Sequence, residues 1–79
     1  MKLKLLLFGI SKEIVGSSTI ELELNGSQVG ELKEWIYSTY PKMKGLNSLM
    51  IAVNNEYADD DLKLNSTDEI ALIPPVSGG

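Results

Sequence analysis

The stretch Pro74-Pro75-Val76-Ser77-Gly78-Gly79 is where the residue types and their order best fit a chemical task. Two prolines cannot donate to a sheet and hold the backbone extended, so they end a preceding strand and throw the remainder outward. Gly78 and Gly79 carry no Cβ and can thread a channel too narrow for any side chain. At about 3.3 to 3.6 Å per residue, the stretch reaches roughly 20 Å from a folded body. A terminal carboxylate at Gly79 is a poor electrophile until ATP converts it to an acyl-adenylate. The activated carbon can then take a sulfur nucleophile, giving a thiocarboxylate, or a lysine amine, giving an isopeptide. Glycines at a chain end are, taken alone, also what a frayed and functionless end looks like. The rigid Pro74-Pro75 before them, and the lack of other chemistry in the chain, set this end apart.

That lack is quantitative. The chain has no Cys and no His, which removes disulfides, thiolate nucleophiles, imidazole bases and the common zinc ligand sets together. The chain is therefore not expected to be an enzyme on its own; a partner must bring the catalytic groups. Asp59-Asp60-Asp61 places three carboxylates in a row, but no glycine hinge or distal Glu accompanies them at calcium-loop spacing. They read as a solvated turn, and no metal is expected. Seven Lys+Arg against 11 Asp+Glu leave a net charge of −4, the wrong sign for holding a phosphate backbone, so nucleic acid is not expected as a partner. No apolar run, residues 5–8 included, approaches the ~20 residues a bilayer requires or the length of a signal-peptide core, so no membrane is expected and the location read from it is cytoplasmic. A chain of 79 residues makes one domain that buries only about 60% of its unfolded surface, leaving a thin core and no deep cavity.

The elements that must position the tail follow from hydrophobic period. Lys2-Leu3-Lys4-Leu5-Leu6-Leu7-Phe8 alternates and then turns apolar at every position, as in a central strand covered on both faces for part of its length. After Gly9, residues 11–14 fit a single helical turn before Gly16. Residues 19–24 alternate strictly, with Ile20, Leu22 and Leu24 on one face, and read as an edge strand antiparallel to the first. Ser27 is placed to cap a helix running to about Tyr40, with Glu31 at its positive end and Pro41 stopping it. Its buried stripe is Val29, Leu32, Trp35 and Ile36, which assigns Trp35 to the core in preference to a ligand-stacking platform. Residues 49–53 and 56–58 flank Asn54-Asn55 as a hairpin, since Asn tolerates the positive φ of a tight turn. Leu62 and Leu64 are expected in the core, and after a turn at residues 65–68 the last strand spans residues 69–73. Two strands apolar on both faces belong side by side. Parallel pairing of the first and last requires a crossover, which the intervening helix supplies. The predicted architecture is α+β: a ubiquitin-like β-grasp roll, a mixed sheet with a central parallel strand pair and one main helix on one face. It occupies residues 1–73, with an extended, flexible tail at 74–79.

Several stretches resemble a known family. Leu6-Leu7-Phe8-Gly9 with Lys12-Glu13-Ile14-Val15-Gly16, then Ala52-Val53-Asn54, and above all the run from Asp68 through Pro74-Pro75-Val76-Ser77-Gly78-Gly79, are similar to the MoaD/ThiS sulfur carriers, within them the small subunits of molybdopterin synthase. The likeness covers nearly the whole chain, and the Pro-Pro-Val-x-Gly-Gly ending is its specific part. The turn Asn65-Ser66-Thr67-Asp68 departs by lacking the Gly usual before the Asp.

The resemblance implies that a MoeB-like adenylating enzyme, consuming ATP, activates the Gly79 carboxylate and that a sulfur donor converts it to a thiocarboxylate, with no cofactor bound by the chain itself. It further implies that Gly78-Gly79, led in by Pro74, Pro75, Val76 and Ser77, enters a MoaE-like large subunit and gives its sulfur to cyclic pyranopterin monophosphate. The large subunit docks, by the same resemblance, on the sheet face away from the helix at Phe8, Tyr57 and Ile73. The strand pattern agrees for Phe8 and Ile73, which end central strands whose second face no helix covers. Partial burial of all three under residues 59–64 is the competing expectation. A thiamine-pathway sulfur carrier, a ubiquitin-like protein modifier and an interaction module that ignores the tail are the alternative functions.

Overall fold

The computed structural model describes residues 1–45 and 49–74. Strand β1 (Lys2–Leu7) is followed by helix α1 (Gly9–Val15), strand β2 (Thr19–Glu23), helix α2 (Val29–Thr39), a 3₁₀ turn (Pro41–Gly45), and strands β3 (Met50–Val53), β4 (Glu56–Tyr57) and β5 (Ile70–Ile73). The sheet order is β2-β1-β5-β3-β4, with β1 and β5 parallel at its centre and antiparallel pairs on either side. This is the predicted β-grasp roll.

Period-2 alternation sends Leu3, Leu5 and Leu7 of β1, and Ile70 and Leu72 of β5, to one face, where they meet Val29, Leu32 and Ile36 of α2 in a single buried cluster. Met43 of the 3₁₀ turn is fully buried in it as well. Trp35 is partly buried against the cluster and sets its ring edge-on to Tyr40, with centroids 6.2 Å apart, so it packs as core.

Four local expectations are corrected. Strand β1 is covered on one face only: Leu6 is half-buried and Phe8 exposed, because α1 and α2 both leave that side open. Helix α1 is a full seven residues where a single turn was predicted. Its end is closed by Gly16 at φ 85°, and near its start, where no side chain caps the helix, the fully buried Ser11 hydroxyl donates to the Phe8 carbonyl at 2.5 Å. The residue capping α2 is Gln28, one place beyond the expected Ser27, since the Glu31 carboxylate turns back to accept from the N–H groups of both Ser27 and Gln28 at 3.0 Å. Leu64 is buried as expected, whereas Leu62 is 42% exposed on a turn.

The Asn54-Asn55 hairpin turn has both residues at positive φ, 52° and 71°. Asn54 does more than turn the chain. Its side chain accepts from the Glu69 N–H at 2.9 Å and donates to Asp68 at 3.1 Å, and Asp68 in turn accepts from the Asn65 N–H at 2.8 Å. The hairpin is thereby fastened to the residues from which β5 starts.

Candidate functional site: the open sheet face and the root of the tail

Strand register builds the site. One row across the sheet runs Leu6, Ala71, Ala52, Tyr57, each opposite the next in register, and the following row pairs Ile73 with Met50. All point away from α2, because their sequence neighbours Leu5, Ile70, Leu72, Ile51 and Val53 point into the core. Two alanines in the middle of the row, with Leu6 and Phe8 on one side and Tyr57 on the other, leave a shallow concavity of about 310 Å³. Asn55 and Glu69 form its polar rim.

Phe8 is 51% exposed and Tyr57 65% exposed, an unusual amount of bare aromatic surface for so small a domain. Residues 59–64 line no part of this concavity, although Asp59, Asp61, Leu62 and Lys63 share a second hollow with Tyr57. The remainder of the same face is charged. Lys2 and Lys4 of β1 stand opposite Glu23 and Glu21 of β2. Glu23 also meets the Met1 ammonium at 2.7 Å, and that charge-assisted hydrogen bond holds its carboxyl below the usual carboxylate range. The face therefore divides into an apolar half over β5, β3 and β4 and an ionic half over β2 and the start of β1.

Because β1 and β5 run parallel, Phe8 and Ile73 lie beyond or at the same ends of neighbouring strands, and the chain leaves the sheet there. Pro74 is half-buried with its ring over Gly9; a Cβ on Gly9 would come within 3.2 Å of the Pro74 ring, and Gly9 itself sits at φ +57°. The root of the tail and the apolar half of the face are thus one continuous surface.

Of the residues singled out in the sequence, Phe8, Tyr57 and Ile73 line a single concavity, and Pro74 abuts its end. Pro75, Val76, Ser77, Gly78 and Gly79 lie outside the described residues. Leu6, Ala52, Ala71 and Met50 were not singled out; alternation along β5 and β3 was the signal that would have found them. Asp59, Asp60 and Asp61 are exposed, and Asp60 pairs with Lys33 at 2.7 Å. Among the described residues no three His, Cys, Asp or Glu side chains gather as a metal site, and no helix is long and apolar enough to cross a membrane.

The model of the ThiS family matches residues 5–79. A protein of Dictyostelium discoideum named molybdopterin synthase sulfur carrier subunit is 44% identical over 81 residues, which cover 96% of this chain and 94% of that one. Among solved structures, SAMP1 of Haloferax volcanii superposes with a TM-score of 0.81 at 26% identity, covering 100% of both chains. The complex of subunits 1 and 2 of molybdopterin-converting factor from Helicobacter pylori contains a chain that matches over 100% of both lengths with a TM-score of 0.69; at 24% identity the likeness is one of fold.

Proposed function

This chain belongs to the ThiS family, and from that membership we propose that it works as the sulfur carrier subunit of molybdopterin synthase. The observation that carries the reading is the near full-length match, at 44% identity, to a relative bearing that name. The geometry supports it: a largely apolar open face that is continuous with Pro74, the root of the tail.

In this reading the carboxylate oxygen of Gly79 attacks the α-phosphorus of ATP on a MoeB-like adenylating enzyme, and pyrophosphate leaves. A sulfur nucleophile from the donor then attacks the acyl carbon, expelling AMP and leaving a thiocarboxylate. The charged chain docks on the MoaE-like large subunit through Phe8, Tyr57 and Ile73, whose desolvation supplies the affinity. Pro74 and Pro75 aim the tail, Val76 and Ser77 contact the large subunit along its passage, and Gly78 and Gly79 are slim enough to bring the sulfur to cyclic pyranopterin monophosphate. The large subunit contributes the catalytic groups, and the chain acts as a stoichiometric sulfur donor.

Single-turnover conversion of the pyranopterin by charged chain plus large subunit tests the reading. Dithiolene is expected in proportion to charged chain, and none from a chain lacking Gly78 and Gly79. Product formation by that truncated chain would sink it.

A further inference from the structure

The three methionines of this chain sit in three different environments. Met43 is fully buried, Met1 is 37% exposed, and Met50 is 42% exposed. Met50 stands directly opposite Ile73 in register, with Ile51 beside it turned into the core, so its thioether lies on the open face next to the strand end that leads into Pro74. The chain has no cysteine, so before sulfur is loaded no thiol in it competes with the methionines for an oxidant.

We propose that Met50 is a peroxide-sensitive modification site, and that oxidising it blocks docking of this face on the large subunit. The inference rests on the docking role given to the face above. A sulfur lone pair of Met50 attacks one oxygen of hydrogen peroxide; the S–O bond forms, the O–O bond breaks and, after proton transfer, water leaves. Sulfur is oxidised by two electrons and the peroxide reduced by two. The product replaces a flexible apolar side chain by a polar sulfoxide. Covered by an apolar partner, that oxygen loses its water without a guaranteed donor in exchange, which weakens binding by about tenfold or more. In the assembled pair Met50 is covered, so the free chain is the sensitive form.

The test treats the full chain, with Gly79 as carboxylate because a thiocarboxylate sulfur would itself take oxygen, with dilute hydrogen peroxide. Peptide masses locate the added oxygen, and calorimetry gives Kd for the large subunit before and after. Met50 is expected to gain oxygen well before Met43, Kd to rise about tenfold or more, and a methionine sulfoxide reductase to restore it. Met50→Leu, whatever its starting Kd, should show no further change on peroxide treatment. Oxidation at Met43 as fast as at Met50, an unchanged Kd after Met50 is oxidised, or an equal loss in the Leu variant would each overturn the inference while leaving the docking face in place. Failure of the untreated chain to bind the large subunit would overturn the docking role and the inference together.

Discussion

Glu31 shows how one side chain can fix where an element begins. Its carboxylate accepts from the Ser27 and Gln28 N–H groups, which stabilises the charged form and holds its pKa below the ordinary glutamate value. It also explains Gly26, where any Cβ would collide with that carboxylate and where φ is +146°. A carboxylate whose folded pKa is depressed adds stability above its unfolded pKa and loses it as pH falls through the folded value. Glu31→Gln should therefore lower Tm at pH 7, and the gap to the parent should close as pH drops below about 4.3, the unfolded glutamate pKa. Parallel thermal melts across that range check this; a gap that stays constant into acid would contradict the capping role. The Gln28 start was hidden from the sequence because Ser27 is intrinsically the better cap, and the Glu31 return bond decides between them only once the turn exists.

At the scale of elements, the central parallel pair depends on Leu5 and Leu72, which are 1% and 0% exposed and lie in strands held side by side. Leu72→Ala should cost roughly 2–5 kcal/mol, a large share of the total for a domain this small. Chemical denaturation measures it, and a loss under about 1 kcal/mol would mean the strand is not where the core is packed. Asn54 works between elements, tying the β3-β4 turn to the start of β5. Asn54→Ala removes those bonds and the residue type suited to φ 52°, so a loss of about 1–3 kcal/mol is expected in the same experiment. The strands and their pairing were legible because alternation and apolar runs are local signals. The full length of α1 was not, because no side chain caps its start and Gly9 there reads as a break, so no local signal marks where the helix begins. Leu62 misled for the opposite reason: a hydrophobic residue near Leu64 looks buried until the turn points it outward. Of the concavity, strand ends gave Phe8 and Ile73, and resemblance gave Tyr57. Ala52 and Ala71 carry no local signal; it is register that makes their smallness a trough.

For the molecule as a whole, the proposed function divides the labour between a body that folds and docks and a tail that reacts. Phe8 is half exposed, so Phe8→Ala should shift stability by less than about 0.5 kcal/mol. In the reading proposed here it should nonetheless weaken docking on the large subunit by tenfold or more, about 1.4 kcal/mol. A variant that binds as tightly as the parent would remove Phe8 from the interface. Removing Gly78 and Gly79 should leave Tm unchanged, because two glycines at a chain end bring no side chain to a core whose described members end at Leu72.

The most direct measurement is the intact mass of the chain, its Gly79 carboxylate free, after incubation with ATP, the adenylating enzyme and a sulfur donor. The proposed function requires a gain equal to one oxygen exchanged for one sulfur, confined to the peptide that ends in Gly79. An unchanged mass, from an enzyme shown to charge another carrier in the same mixture, would contradict it. So would isopeptide conjugates to lysines appearing in place of the thiocarboxylate.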